Sequence, residues 1–279
     1  MLFADDTNLF IHGKNLEQLI LKVRDCLLTI SKWFHENKLT MSIEKTQYSI
    51  FRTNNRTVPE IYDTINFGNY QIHRVTHAKY LGVILDDKLN WNEQSSMVSN
   101  ALTKYISSFK MIANYIPAKC KKCLYFAYPY SKIKYGIELY GHSSKNNMKR
   151  IQTLQNRLLK VLYKLDWYTP TNLMHKNLNL LKVDDIFNLQ INSQVYKQRH
   201  GCLPEIFDDY FKEIQDTHDH NVRNKHQLLI PRTKTKLGEH TLKVKGPKAY
   251  NNLPHCIRES KTHKIFTKNV KEYYINTYA

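Results

Sequence analysis

At 279 residues, 42% of them hydrophobic and only 8 Gly and 8 Pro, the chain has the length for two or three domains with a real core, which excludes a low-complexity or disordered protein. No run approaches the roughly 18 apolar residues of a membrane span. Five cysteines, with no signal-like stretch before the first motif, point to a reducing, intracellular compartment (cytoplasm or nucleus) and against secretion. The net charge of +18 lies beyond residue 95: residues 1–95 hold 11 Lys/Arg against 11 Asp/Glu, and residues 96–279 hold 31 against 13. That partition points to a polyanion gripped by the second part, a lysine-rich solvated surface being the plainer alternative.

In chain order, the first element is Leu2-Phe3-Ala4-Asp5-Asp6-Thr7-Asn8-Leu9-Phe10. Apolar residues on both sides of two adjacent carboxylates read as strand, tight turn, strand, with Asp5 and Asp6 at the tip. Carboxylates held that close resist joint ionisation unless a cation lies between them. Hard divalent ions such as Mg²⁺ take oxygen ligands of this kind. A solvated turn with Asx-type hydrogen bonds is the alternative.

A helix follows from Asn15 to Glu36, with Leu16, Leu19, Ile20, Val23, Leu27, Ile30 and Trp33 on one face. Asn15 suits its N-cap, and the helix is expected beneath the sheet that carries Asp5 and Asp6. Tyr48 to Phe51 reads as a strand. Ile61–Phe67 and Tyr70–Val75 flank Gly68-Asn69, a hairpin turn pair. Asp86-Asp87 read as turn residues before a helix. From Gln94 the pattern is helical, with a stripe of Val98, Leu102, Tyr105, Phe109 and Ile112 and with Lys104 and Lys110 off it. Residues 96–150 carry 10 basic residues and one acid, Glu138, interleaved with tyrosines. An amphipathic helix over Asn146–Lys164 turns Ile151, Leu154, Leu158, Val161 and Leu162 inward. Lys149, Arg150, Arg157, Lys160 and Lys164 lie on other faces. The off-stripe cations are candidates for nucleic-acid backbone contact.

A short helix is expected after Thr169-Pro170 to about Lys176, and a further helix from Asp184 to about His200. Residues Gly238 through Pro254, with Gly246-Pro247, read as a short hairpin and a turn, and a basic helix closes the chain over about Thr262–Tyr278. Cys120 and Cys123 form a lone C-x-x-C without a second pair, so zinc would need ligands recruited from afar.

Phe3-Ala4-Asp5-Asp6, and the segments after it in order over nearly the whole chain, resemble the reverse transcriptases of non-LTR (LINE-like) retrotransposons. The first matches the family's aromatic-Ala-Asp-Asp catalytic turn. Ser42-Ile43-Glu44-Lys45-Thr46 resembles its Asn-x-x-Lys-Thr loop without the Asn, which makes Lys45 the residue near the incoming nucleotide. Ala78 to Trp91 resembles the primer grip, with Tyr80 and Gly82 close to a nucleic-acid strand. Ala127-Tyr128-Pro129 through Gly141 looks like the thumb.

The resemblance implies an α+β fold: a partial palm of antiparallel strands plus a helix over 1–95, a mainly helical basic thumb over 96–200, and a small mixed C-terminal segment with a hairpin and a terminal helix over 201–279. It implies the C-terminal part of an RNA-directed DNA polymerase. Asp5 and Asp6 would serve a two-metal Mg²⁺ site, with RNA template, DNA primer and nucleoside triphosphates as partners. The family's first catalytic carboxylate lies on a strand upstream of the Asp-Asp turn. The chain alone is therefore expected not to polymerise. A non-catalytic basic RNA/DNA-binding module, or a decayed transposon remnant, is the alternative reading.

Overall fold

The computed structural model describes residues 2–3, 6–216 and 226–278, with side chains described from Thr7 onward. The chain divides into two units, Met1–Glu93 and Gln94–Ala279. The arrangement is α+β, 57% helical, with small sheets in the first unit and a helical second unit.

Strands β1 (Leu2–Phe3) and β2 (Asp6–Thr7) form an antiparallel ribbon in which Phe3 pairs with Asp6. Asp6 thus opens the second strand. The apolar residues that follow are not strand: Leu9 and Phe10 lie in coil and are exposed. Helix α1 (Leu16–Glu36) starts where the sequence places it, with Asn15 accepting a hydrogen bond from the Glu17 N–H.

The partners of α1 differ from expectation. Its buried Ile20 and Leu27 meet Ile65 and Ile72 of a second sheet, with Leu16, Val23, Tyr48, Tyr62 and Phe67 around them. That sheet has the order β3 (Gln47–Tyr48), β5 (Tyr70–Arg74), β4 (Thr64–Phe67). The β4–β5 hairpin turns at Gly68, at φ +57°. Ile65 and Ile72 face each other across it, so the period of two places both toward α1. Trp33, at the edge of the α1 stripe, stays exposed, as do Leu21 and Leu28, which lie off the stripe.

A second hairpin pairs β6 (His77–Tyr80) with β7 (Val83–Asp86). Leu81 and Gly82 make its two-residue turn with φ of +45° and +82°, the primed geometry that suits strand twist.

The second unit opens with α2 (Asn92–Ile112), whose Val98, Leu102, Ile106 and Phe109 are buried. Helix α3 (Ala118–Tyr125) runs through a π turn at Phe126–Tyr130 into α4 (Ser131–Lys134). Pro129 sits in that turn, where it lacks an N–H. The Ser131 hydroxyl lies within reach of the Ala127 and Tyr128 carbonyls. Next come α5 (Ile137–Tyr140), α6 (Lys145–Tyr163), α7 (Thr171–Leu178) and α8 (Val183–Arg199).

Helix α8 is the centre of this unit. Its sequence shows no clean stripe because neighbours cover it nearly all round: α5 and α6, and beyond residue 200 α10 (Leu242–Asn251) and α12 (His263–Asn276). Between and before these lie the single turns α9 (Lys236–Glu239) and α11 (His255–Arg258). Two buried polar residues of α8 reach α12, although Asn192 Oδ1 itself accepts no hydrogen bond among the described residues. Asn192 donates to the Tyr274 hydroxyl at 3.0 Å, and the Ser193 hydroxyl lies 2.7 Å from His263 Nε2. Tyr196 stacks on Phe266 with ring centroids 4.4 Å apart, a contact of about 1 kcal/mol beyond its buried area.

Here the sequence reading needs correction. Residues 242–251 are helix and not hairpin, with Pro247 inside the helix. Burial explains it. Val244, Gly246, Pro247 and Tyr250 are packed away from solvent, and Gly246 lets the helix approach Phe211 and Val195 of α8 so closely that a Cβ would sit 2.7 and 2.9 Å from them. Tertiary packing overrides the Gly-Pro turn signal.

Candidate nucleic-acid interface

Among the sequence-predicted residues of the first unit, Asp5 lies outside the described residues. Asp6 is placed only by its backbone, opposite Phe3. Among the described residues no group of three or more His, Cys, Asp or Glu side chains could hold a metal ion. Tyr80 ends the strand before the Leu81-Gly82 turn, and its ring meets Phe10 edge-on at 5.8 Å. The structure thus brings the primer-grip-like hairpin against the segment four residues beyond Asp6. Gly82 has a local reason to be glycine, its positive φ. Lys45 is the exposed last residue of a 3-10 turn, Ile43–Lys45, that enters β3.

Asp86 and Asp87 are occupied structurally. Asp86 accepts the backbone N–H groups of Lys88, Asn90 and Trp91 at 3.2, 2.9 and 2.7 Å. Asp87 pairs with Arg52 at 2.9 Å.

The second unit gathers its candidates on α2 and α6. Lys104 and Lys110 are exposed on α2, off its buried face. On α6 the geometry is sharper. At about 100° per residue, Lys149, Arg150, Arg157 and Lys160 fall within one sector of roughly 100°. The buried Met148, Ile151, Gln155, Leu158, Leu159 and Leu162 centre on the opposite side. One helix therefore shows a dry face to the core and a basic face to solvent.

Burial lowers the pKa of several titratable cations of this unit, and neighbouring cations add to it. Burial first, then His240 and Lys245, push the His142 imidazole down to about 4. Burial, then Lys197 and Lys134, lower His263. Burial, then Lys122, lower the Lys271 ammonium. Each cation makes the next harder to charge.

At the joined C-terminal ends of α2 and α6 lies a cleft that the sequence did not reveal, lined in part by Lys110, Lys160, Lys164 and Trp167. Trp167 sits in a four-residue turn outside any periodic segment, so no stripe or motif marked it.

The side chains beneath the basic face form a buried polar network. Gln155 donates to the Tyr125 hydroxyl at 2.7 Å and to the Leu181 carbonyl at 2.9 Å, and accepts from Gln152 at 2.9 Å. Gln152 also donates to Asn156 and accepts the Val183 N–H. His175 faces Asn156 Oδ1 at 2.9 Å and the Leu180 carbonyl at 3.1 Å. This network locks α3, α6, α7 and α8 together and so fixes the rotation of α6 that turns its cations outward.

The chain is similar in sequence to RNA-directed DNA polymerases of non-LTR retrotransposons. It is 26% identical over 205 residues to the RNA-directed DNA polymerase from mobile element jockey of Drosophila melanogaster, covering 72% of this chain and 22% of that protein. Two further relatives from the same organism are the probable RNA-directed DNA polymerases from transposon BS and from transposon X-element. The first is 23% identical over 186 residues (66% of this chain, 20% of that protein), the second 22% over 189 residues (67% and 20%). The chain spans about a fifth of the length of the curated relatives it matches. No family model and no solved structure matches it. No helix among the described residues is long and apolar enough to cross a membrane.

Proposed function

We propose that this chain is the C-terminal part of an RNA-directed DNA polymerase of a non-LTR retrotransposon, and that it holds the RNA template and DNA primer. The observation that carries the reading is its similarity to three mobile-element polymerases. The segregation of charge supports it: a first unit of zero net charge bears Asp5 and Asp6, and the second bears the whole +18. Lys104, Lys110, Lys149, Arg150, Arg157 and Lys160 are the cations we assign to the duplex backbone, with Tyr80 and Gly82 toward the primer strand.

Asp5 and Asp6 are the proposed Mg²⁺ ligands. Adjacent carboxylates are the hard oxygen donors that ion takes, and the ion when bound supplies charge neutralisation at reacting phosphates. Lys45 is the proposed contact to the phosphates of the incoming nucleotide.

Binding of the purified chain to a labelled RNA–DNA hybrid tests this. Six phosphate contacts predict a loss of about 10³-fold in affinity between 50 and 200 mM salt. Lys149→Glu with Arg150→Glu should flatten the log–log salt slope by about 2. Asp5→Ala and Asp6→Ala should leave hybrid binding unchanged or tighter, and should abolish nucleotide incorporation in any extension reaction the chain supports. Salt-insensitive or absent hybrid binding would overturn the proposal.

A further inference from the structure

The cleft between the ends of α2 and α6 has a volume of about 450 Å³. Lys110 reaches it from α2, and Lys160 and Lys164 from α6, over an apolar floor of Ala113, Val161 and Leu165. Lys164 ends α6 in the left-handed conformation at φ +55°. The chain then makes a tight turn in which the Asp166 carboxylate accepts the Tyr168 N–H at 2.7 Å and the Asp166 backbone carbonyl accepts the Thr169 N–H at 3.1 Å. That turn ties one Asp166 carboxylate oxygen to its own backbone and displays two large rings, Trp167 at 60% exposure and Tyr168 at 91%.

Helix-end lysines have a structural use, since cations there oppose the partial negative charge of the last carbonyls. That accounts for Lys160, whose ammonium donates to the Trp167 carbonyl. It does not account for an indole left open beside Lys110 and Lys164. Lys160 Nζ and Arg157 Cζ stand 5.7 and 6.0 Å from the Trp167 ring centroid, at the outer limit of cation–π contact. Both lie over the ring, and Trp167 still keeps most of its surface open to solvent.

We infer that this cleft receives one unpaired nucleotide, with its base stacked on Trp167 and its phosphate held by Lys110 and Lys164. An aromatic platform beside cations is how proteins hold single strands without reading sequence. The inference rests on the reading of the chain as a nucleic-acid binder, and adds a site for unpaired strand that shares Lys110 with the duplex backbone contacts and brings in Trp167 and Lys164. A free mononucleotide offers the same base and phosphate, so the test separates the two sources.

Tryptophan fluorescence reads the site directly, because the other indoles are elsewhere, at Trp33 and Trp91. Titration with octauridylate at 50 mM salt should quench the wild-type signal, and Trp167→Phe should remove the quenchable component. Trp167→Ala should weaken binding about ten-fold. Lys110→Glu with Lys164→Glu should weaken it further and reduce the salt slope by about 0.7, the share of one phosphate on a single strand. Far-ultraviolet circular dichroism should stay unchanged for these surface variants. Uridine monophosphate should quench only at far higher concentration. If it matches the octamer, the strand assignment fails.

A blunt RNA–DNA hybrid completes the set. Hybrid binding with octauridylate unable to quench Trp167 overturns this inference and leaves the proposed function standing. Failure of both ligands to bind overturns the proposed function as well.

Discussion

Gln155→Leu tests the network that orients the basic face of α6. The substitution nearly conserves volume, so the change is chiefly the loss of an amide at a site with 0% exposure. Three groups lose a partner: the Tyr125 hydroxyl, the Leu181 carbonyl and one N–H of Gln152. Gln152 keeps Asn156 as acceptor at 2.7 Å, so its loss is small. Tyr125 and Leu181 are themselves buried. Each buried polar group left unsatisfied costs about 1–3 kcal/mol, so the variant should lose roughly 2–5 kcal/mol.

Tyr125→Phe should cost about 1 kcal/mol, because Gln155 still reaches Leu181. The double variant should lose less than the sum of the two, with a coupling of about 1 kcal/mol, since the hydroxyl that needed the amide is gone. Urea unfolding followed at 222 nm reads mainly the helical second unit and gives all four corners of the cycle. Gln155→Leu within 0.5 kcal/mol of wild type, or strict additivity in the cycle, would refute the network as the device that holds α6 in register.

Three further outcomes follow from the same coordinates. His175 is fully buried, and burial pushes its imidazole down to about 4, with the Leu180 carbonyl pulling the other way. While neutral it can donate to only one of its two acceptors, Asn156 or Leu180. The unfolded chain binds this proton from about pH 6.5, so its stability contribution is full above that pH and is lost as pH falls toward 4. The loss is about 2–3 kcal/mol by pH 4.5, and His175→Gln should remove that part of the pH dependence of the urea midpoint. Gly246→Ala should destabilise the second unit by roughly 1–3 kcal/mol, since the new methyl meets Phe211 at 2.7 Å and Val195 at 2.9 Å; a thermal midpoint equal to wild type would contradict the close approach of α10. Asp86→Ala should cost the first unit about 2 kcal/mol by freeing the N–H groups of Lys88, Asn90 and Trp91. It should leave hybrid affinity unchanged, and a loss of binding would make Asp86 more than a turn residue.

What the sequence determined by itself was local. Helix α1 with its Asn15 cap, the Gly68 hairpin, and the central stripe residues Val98, Leu102 and Phe109 of α2 and Ile151, Leu158 and Leu162 of α6 follow from period and cap chemistry, which act over a few residues, whereas Ile112 is exposed and Tyr105, Leu154 and Val161 are only half-buried. The division of charge at residue 95 is likewise a property of the chain, and with Asp5-Asp6 and the segments after it carried the family resemblance. Only the tertiary structure decided which surfaces meet. Helix α8 carries no readable stripe because neighbours surround it, and 242–251 became helix because Gly246 and Pro247 are buried against Phe211 and α8. The cleft around Trp167 was invisible for the same reason. Lys110 and Lys164 are 54 positions apart, and no pattern in one dimension brings the ends of two helices to one cleft; the folded chain does.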